Sequence, residues 1–576
     1  MNLEYIQLTK YPEIKSKSKI LLGDWCYESI YKKEKTQICS PYGLKTNIRY
    51  NLVKEYNILF RTILEELATI LNNHHKKNLS IRSWNIILGP WLSMFVQIII
   101  NRHNTLLSNI RIHKPKKTIC YKANLRDLIT YNIKDLNIKS LVNDWNNQLY
   151  FEILRYYSRL DIIVKNKILQ KKPKSNLFDN LKIDIKNIIK DVLNKYNKIN
   201  YKEDYPFIIG SGLNSGDLTK LQINNNSPSI IWKNYEKKDD IFVDHDLRIK
   251  LQDYIFKEEK NKNLINFIKK IIFFSLPPTY LENFHTNIKK VKSFSWPNNP
   301  KVIFTAYNHT FDEYFKFYVA LKIPNSKYFV AQHGSTHGIH IYPKPTYERT
   351  TDYFISWNNL NRDKKYIYTK KVKNFSHYPR SQKKYLSMIF EPRPHRSNLF
   401  DTDYLYKYNW IHFIAFIKSL DKEIKQKLII RLHQNSLVEK SFDELVQVSK
   451  LKKNIHKIES SKNDIHKLIN KSNLIIICYD STLIYKLLNT NVPFLIYIPS
   501  KIDFMKNSPK KDFYKLKHHN ILFFSKSELK KHIEKIWHNT DEWWNKKDNI
   551  KIRKILKEKY SEIDLTTFNF SKKKFD

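Results

Sequence analysis

Short apolar segments alternate with helical segments through the second half of the chain, and this alternation constrains the fold more than any other sequence feature. Short apolar strands separated by helices are typical of parallel, doubly wound sheets, whose strands are buried on both faces. The sequence therefore predicts an α/β architecture. The strands predicted in this way are residues 302–306, 328–331, 353–356, 385–390, 428–432, 474–478, 494–498 and 521–524.

The predicted strands fall into two groups, which are separated by a polar, lysine-rich stretch at 358–374 that we interpret as a linker. Upstream, apolar residues spaced three or four apart begin at Leu52 and predict helices. A chain of 576 residues is long enough for more than one domain. We therefore expect two doubly wound domains that face each other across a cleft. Their predicted bounds are 1–370, with a large helical insertion at about 50–290, and 375–540, followed by a helical tail at 541–576.

The chain is strongly basic, with 102 Lys and Arg against 55 Asp and Glu and a formal net charge of +47. The lysines are spread along the whole sequence, whereas proteins dedicated to nucleic acid concentrate their charge on one stripe or tail. A dedicated nucleic-acid partner is therefore not expected, although anionic lipid and phosphorylated substrates would be attracted. A non-enzymatic protein that binds nucleic acid or a membrane surface through its charge remains the last-ranked alternative.

Cysteine usage and the N-terminal sequence predict a cytoplasmic location. The four cysteines form no Cys-x-x-Cys pair, and a disulfide scaffold is not expected at this chain length. The N-terminus lacks the pattern of a signal peptide. The most apolar stretch, 84–100, is interrupted by polar residues and by Gly89–Pro90, so we interpret it as a buried helix. Peripheral contact with the inner face of the membrane is compatible with this reading.

The first candidate site follows the predicted strand 328–331 and contains Gln332, His333, Gly334 and His337. In open parallel sheets, ligands bind in the crevice beyond the carboxyl ends of the strands. A histidine there has a pKa near neutrality and can act as a general base. The alternative is a turn whose histidines are only solvated or hydrogen-bonded.

Two further candidate sites follow strands of the second domain. Arg431 and His433 end the strand 428–432, where a guanidinium and an imidazole would suit phosphate oxygens. Asp480, Ser481 and Thr482 lie between the strand 474–478 and a helix, where hydroxyls and free amides can bind a diphosphate. The alternatives are an arginine paired with a neighbouring carboxylate and a helix cap without a ligand.

Two weaker features complete the set. Asp24 ends a short apolar segment near the N-terminus and is a candidate acceptor contact. The histidine pairs His74–His75 and His518–His519 lack partners at metal-ligand spacing, so no metal site is expected.

Five short segments carry a resemblance to known proteins: 22–26, 88–92, 332–338, 351–357 and 479–482. Together they resemble a bacterial family of transferases that belongs to O-antigen and surface-polysaccharide loci. The later half of the chain resembles, more loosely, GT-B transferases such as CDP-glycerol glycerophosphotransferases and capsule glycosyltransferases. Those enzymes carry a His-Gly motif, an Arg-x-His-Pro motif and a Ser/Thr pair that opens a helix.

The resemblance implies a GT-B-like fold in which His333 deprotonates the acceptor hydroxyl. It implies that Arg431, His433, Ser481 and Thr482 hold the phosphates of a nucleotide-activated sugar or polyol. No cofactor is implied beyond that donor, and the acceptor would be a glycan, with lipid-linked glycans among the candidates.

Two positions depart from the GT-B pattern. Gln434 stands where proline is usual, and Tyr485 stands where many GT-B enzymes have a glutamate that grips the ribose. The identity of the donor is therefore left open, with stacking of Tyr485 on a base or sugar as one option.

A nucleotide-sugar epimerase with the same fold is the main alternative. Such an enzyme needs acidic groups in the cleft, and the carboxylates close to the motifs are Asp312, Glu313 and Asp480. Analysis of the products formed without an added acceptor would distinguish the two reactions.

Overall fold

The computed structural model describes most of the chain. The described residues are 4–26, 37–122, 124–158, 160–166, 205–227, 232, 234–235, 242–256, 263–368, 378–380, 383–392, 396–400, 402–433, 448–488 and 490–571. Gln434, the first departure from the GT-B pattern, lies outside them.

The N-terminal part builds a first sheet in which every described pairing is parallel and the order is β3-β2-β1-β4-β5. This is the order of a doubly wound nucleotide-binding fold. Its strands are β1 (Tyr5–Gln7), β2 (Lys19–Leu21), β3 (Gln37–Ile38), β4 (Lys117–Tyr121) and β5 (Asp161–Lys165).

This first sheet is a difference from the prediction, because β4 and β5 lie inside the stretch 50–290 that was expected to be helical. The sequence signal for these two strands was weak for a physical reason. β5 is an edge strand whose side chains are almost all exposed, and β4 begins with two polar residues and alternates half-buried with buried positions. Neither strand forms the continuous apolar segment that marks a strand buried on both faces.

The second sheet is also parallel and follows the chain, with the order β10-β9-β8-β7-β6. Its three central strands were predicted to within one residue at each end. The strands are β6 (Phe207–Ile208), β7 (Val302–Thr305), β8 (Lys327–Ala331), β9 (Tyr353–Ile355) and β10 (Tyr366–Ile367).

The third sheet has the order β13-β12-β11-β14-β15-β16, so the direction of winding reverses between β11 and β14. Five of its six strands were predicted, and β13 was missed. The strands are β11 (Tyr385–Ile389), β12 (Leu428–Leu432), β13 (Lys457–Ser460), β14 (Ser472–Ile477), β15 (Phe494–Tyr497) and β16 (Leu522–Phe523).

Helices cover the three sheets. Those packed around the first and second sheets are Thr46–His75, Ile81–Ile87, Gly89–His113, Ile133–Lys139, Asn143–Tyr157, Ser215–Ile223, His245–Ile255, Leu264–Ser275, Phe284–Ser293, Asn308–Phe311, Glu313–Lys322 and Thr346–Thr350. Those that follow are Thr402–Ser419, Lys422–Gln426, Ile465–Lys471, Thr482–Leu487, Asn507–His518, Lys526–Ile536, Thr540–Trp544 and Lys547–Tyr560.

The apolar stretch 84–100 lies in two helices, Ile81–Ile87 and Gly89–His113, and its large apolar side chains are mostly buried. Throughout the described part of the chain, no single helix is long and apolar enough to cross a membrane. These two helices pass that test only when taken together, and they meet at a bend of 72°.

Three apolar cores hold the molecule together. The first sheet and one face of the second share the largest core, and the third sheet has its own. On the opposite face of the second sheet, Phe568 and Phe570 from the C-terminal tail pack against Phe304 and Phe329. The tail thus returns from the third sheet to the second. The predicted α/β class is confirmed: every described strand pairing in the three sheets is parallel, and the first and third sheets are doubly wound. Two such sheets were expected, and the structure has a third.

A backbone bridge joins the second and third sheets at the cleft. The N–H of Ile341 donates to the carbonyl of Phe504 at 2.9 Å, and the N–H of Lys506 donates to the carbonyl of Ile339 at 2.8 Å. His340 and Met505 face each other at the centre of this antiparallel contact. The loop after β8 is therefore fixed to the third sheet.

Candidate active site

A cavity of about 250 Å³ lies where the winding of the third sheet reverses, at the position that favours ligands in such sheets. Glu391 follows β11, and Tyr479 and Asp480 follow β14. The opposite wall contains Thr336 and His340 from the loop after β8. The cavity is therefore built by two sheets together.

His340 and Asp480 face each other across this boundary. The imidazole Nε2 of His340 lies 2.6 Å from Oδ2 of Asp480, and both side chains are more than nine-tenths buried. A carboxylate can only accept a hydrogen bond, so Nε2 carries the proton and Nδ1 keeps its lone pair in the neutral ring. Nδ1 is buried and has no hydrogen-bond partner in the described part of the chain. The pair thus presents an unused proton acceptor.

Asp480 is itself held by a second group, since the hydroxyl of Tyr485 donates to its Oδ1 at 3.3 Å. Tyr485 is only 2% exposed. The suggestion that this ring stacks on a base or sugar is therefore wrong, because the ring is packed in the apolar core around the third sheet. It supports Asp480 instead.

Glu391 is the other acidic group in the cavity wall. Burial raises the pKa of its carboxyl to about 8. The group therefore carries a proton at neutral pH and can donate a hydrogen bond. Sequence reasoning missed both Glu391 and His340, since neither stands in a recognisable motif.

His333 is held among other rings directly after β8. Its ring centroid lies 4.8 Å from that of Tyr307 and 6.1 Å from that of His337. Burial, followed by the neighbouring His337, lowers the pKa of His333 to about 4, and its Nδ1 has no partner among the described residues. The ring is thus neutral near pH 7. Among the described residues, those that line the 250 Å³ cavity do not include His333.

His337 is a positioned residue in a buried network. Its Nδ1 donates to Glu348 at 2.9 Å, and its Nε2 accepts from the hydroxyl of Tyr347 at 2.9 Å. Burial raises the pKa of Glu348, but the interactions with His337, the hydrogen bond from Tyr366 and the charge of Lys344 together outweigh burial and lower it. This network lines a second cavity of about 240 Å³, which shares the wall residue His340 with the first.

The His-Gly motif meets the Ser/Thr pair across the cleft. A Cβ placed on Gly334 would lie 4.0 Å from Oγ1 of Thr482. Ser481 is the N-cap of the helix Thr482–Leu487, and its Oγ accepts from the N–H of Leu483 at 3.1 Å. Two of the predicted site segments are therefore neighbours in space.

Arg431 does not occupy the predicted place. Its guanidinium donates to Glu459 at 2.9 Å and to the carbonyls of Ser461 and Asn463 at 3.2 and 2.7 Å. The side chains of Arg431 and Glu459 are 6% and 10% exposed. The assignment of Arg431 to donor phosphates is corrected, because a buried carboxylate and two carbonyls already use the guanidinium. His433 directly follows this strand and is half-buried, and burial lowers the pKa of its imidazole.

Two supporting residues have other roles. Gln332 is 3% exposed and fixes the turn, because its amide donates to the carbonyl of Gly334 at 2.6 Å and accepts from the N–H of Trp357 at 2.9 Å. The carbonyl of Asp24 accepts from Lys407 at 2.7 Å, which ties the first sheet to the helix Thr402–Ser419. Neither residue lines the described cavities at the cleft.

Within the ranges that the structure describes, no group of three or more His, Cys, Asp or Glu side chains is placed to hold a metal ion.

Solved structures similar to this chain include enzymes of the GT-B type. MurG of Acinetobacter baumannii is 10% identical with a TM-score of 0.31, over 51% of this chain and 77% of that chain. MnaA of S. aureus, solved with UDP, is 10% identical with a TM-score of 0.33, over 63% of this chain and 94% of that chain.

The sequence comparisons are more decisive. A search of curated proteins finds no match. The model of the LIC12162 family transferases matches residues 5–564, which is nearly the whole chain and includes all three sheets. The protein therefore belongs to the LIC12162 family of transferases.

Proposed function

We propose that the protein is a glycosyltransferase-type enzyme that moves a sugar or polyol phosphate from a nucleotide-activated donor to an acceptor hydroxyl. The observation that carries this proposal is the cavity at the winding reversal of the third sheet, which is closed from the other side by the loop after β8. Such a crevice is where mononucleotides bind in doubly wound sheets. The proposed product is a surface polysaccharide or O-antigen, made on the cytoplasmic side.

The chemistry follows from the groups at the cleft. An imidazole takes the proton of the acceptor hydroxyl while the hydroxyl oxygen bonds to the transferred carbon or phosphorus. The bond to the nucleotide phosphate breaks, and its electron pair stays on the phosphate oxygen. His333 is the base expected from the sequence, and His340 is a second candidate because Asp480 orients it.

The charge of the leaving phosphate would be stabilised by groups from the third sheet. Ser481, Thr482 and His433 are the proposed contacts, and Thr482 lies beside Gly334 at the cleft. We expect no divalent metal and no further cofactor, since hydroxyl, amide and imidazole donors can supply this stabilisation.

Thermal-shift screening against CMP-, CDP-, UDP- and GDP-linked sugars and polyols tests the donor class. A compound that binds only the folded protein raises its melting temperature. A shift with one nucleotide series is expected, and no shift with any series would overturn the proposal.

Transfer from the donor found in this way then tests the base. His333→Ala and His340→Ala are compared with His518→Ala, which alters an exposed histidine at a helix end. Loss of general base catalysis lowers the rate by about 10²–10⁴-fold. Full activity of His333→Ala would remove His333 from the mechanism, and the same result for His340→Ala would remove His340.

An epimerase is a second candidate function, and one observation favours it. The cavity contains a protonated carboxyl at Glu391 and a carboxylate–imidazole pair at Asp480 and His340, which are groups suited to elimination and re-addition. An altered sugar formed without any acceptor would support this reaction over transfer.

A further inference from the structure

The largest of the cavities described here, about 520 Å³, lies away from the nucleotide crevice. It is a groove between the helix Ile133–Lys139 and the chain that follows β7. Its volume is within the range of about 300–1,000 Å³ that small-molecule sites occupy. Its walls include Lys134, Asn234, Tyr307, Asn308, Phe311 and Asp312.

Two aromatic rings are exposed in this groove. Tyr307 is 51% exposed and Phe311 is 42% exposed. Tyr307 precedes the single helical turn Asn308–Phe311, and Phe311 is its last residue. Large rings left open to water in a polar groove mark binding surfaces, because ring faces can stack on a ligand. Pyranose rings present faces of C–H groups that stack well on aromatic rings.

The ring of Tyr307 packs closely against the backbone of the segment after β6. Gly212, whose φ is +73°, lies so close that an added Cβ would be 2.3 Å from Cε2 of the Tyr307 ring. Gly210 likewise makes room for the amide of Asn308, since an added Cβ would be 1.9 Å from its Oδ1. The glycine-rich segment therefore shapes this wall of the groove.

A chain of polar groups runs beside the rings. The amide of Asn308 donates to Oδ2 of Asp312 at 2.8 Å and to Oδ1 of Asn234 at 2.8 Å. Amide and carboxylate oxygens and amide N–H groups are the partners that sugar hydroxyls use. Burial raises the pKa of Asp312 to about 6, so it is ionised near pH 7.

The charge of the groove argues against a phosphorylated ligand. The lining contains one basic side chain, Lys134, and three acidic ones, of which Asp135 and Glu313 are paired with Lys139 at 3.0 Å and Lys316 at 2.9 Å. The described lining therefore has no cluster of basic side chains that could hold a phosphate group. A neutral, hydroxyl-rich ligand suits such a surface better than a nucleotide. The groove also leads toward the candidate base, because the ring centroids of Tyr307 and His333 are 4.8 Å apart.

We propose that this groove binds the acceptor glycan, with sugar rings stacked on Tyr307 and Phe311 and hydroxyls bound by Asn308 and Asp312. The inference rests on the proposed function, because it gives the glycan acceptor a place beside His333. It assigns the nucleotide and the glycan to separate cavities.

Isothermal titration calorimetry with a defined set of oligosaccharides tests this placement. The probes are maltotetraose, chitotetraose, mannotetraose and a rhamnose tetrasaccharide. We expect the wild type to bind one of them, and Tyr307→Ala and Phe311→Ala each to weaken that binding about tenfold or more. Tyr254→Ala, which removes a ring that is 67% exposed outside the groove, is the matched control and should bind normally.

A second variant tests the groove without removing a ring. Gly212→Ala would displace Tyr307, so it should weaken glycan binding while the protein stays folded. Thermal shifts with the nucleotide series are measured for every variant and should not change. Failure of all four probes, or normal glycan binding by both ring variants, would overturn this proposal alone. Lost nucleotide shifts in Tyr307→Ala would overturn it by assigning the ring to the donor.

Discussion

The imidazole of His340 and the carboxylate of Asp480, 140 positions apart in the sequence, are joined by a hydrogen bond of 2.6 Å across the cleft. Each side chain comes from the carboxyl end of a different sheet, and neither forms this pair without the other domain. The contact gives the cavity an imidazole with a defined tautomer. Four experiments follow from this and from related contacts.

Replacement of Asp480 by Asn should lower the transfer rate by about 10²-fold or more, because an amide no longer fixes the proton on Nε2 of His340. The pH profile of the rate should change as well, which loss of packing alone would not cause. Tyr485→Phe is the matched control, since it removes the 3.3 Å bond to the other oxygen and leaves the bond between Asp480 and His340 in place. A rate for Asp480→Asn close to that of the wild type would contradict the assignment.

Replacement of Glu391 by Gln should make the protein more stable above about pH 8. The folded pKa of about 8 lies above the unfolded value near 4.5, so the folded protein holds the proton more tightly. The contribution of this carboxyl to the free energy of unfolding is therefore present in full below about pH 4.5 and is lost as the pH rises to 8. Melting temperatures of Glu391→Gln should decline less over this interval than those of the wild type. Exposed Glu423→Gln is the control, and parallel curves for Glu391→Gln and the wild type would refute the shift.

Replacement of Arg431 by Met should destabilise the fold by about 3 kcal/mol, because it leaves the carboxylate of Glu459 buried without its partner. The double variant Arg431→Met/Glu459→Met should regain most of that stability. Denaturant unfolding measures both effects. The nucleotide affinity of folded Arg431→Met should match the wild type, and a tenfold weaker affinity at unchanged stability would restore the phosphate role.

Acid should destabilise the protein partly through His75. Burial lowers its pKa to about 4, while the unfolded value is about 6.5, so the unfolded chain binds the proton more readily. The part of the free energy of unfolding that is linked to His75 is therefore lost as the pH falls from about 6.5 to 4. His75→Gln should remove part of this loss, about 2 kcal/mol, when unfolding is followed at several pH values. His518→Gln at an exposed helix end should retain the full loss, and an equal loss in both variants would refute the effect.

The sequence predicted the central strands well, because they are buried on both faces and form continuous apolar segments. The prediction 428–432 coincides with Leu428–Leu432, and 385–390 exceeds Tyr385–Ile389 by one residue. Several edge strands were missed, although the edge strand Leu522–Phe523 was predicted. The missed strand Lys457–Ser460 has no fully buried residue and a single apolar one, Ile458, so it lacks that signal.

The site was predicted less completely, for reasons that depend on distance. The motifs around His333 and Ser481 were found because each follows a strong strand. The partnership of His340 with Asp480, and that of Arg431 with Glu459, depends on which segments meet in space. The exposure of Tyr307 also depends on the tertiary fold, because aromatic residues make up 14% of the chain and most are buried.

The antiparallel bridge at His340 and Met505 has a mechanical consequence. Two backbone hydrogen bonds flank His340, so the loop after β8 cannot separate from the chain around Met505 without breaking them. The imidazole of His340 therefore keeps its distance from the Asp480 carboxylate for as long as this bridge is intact.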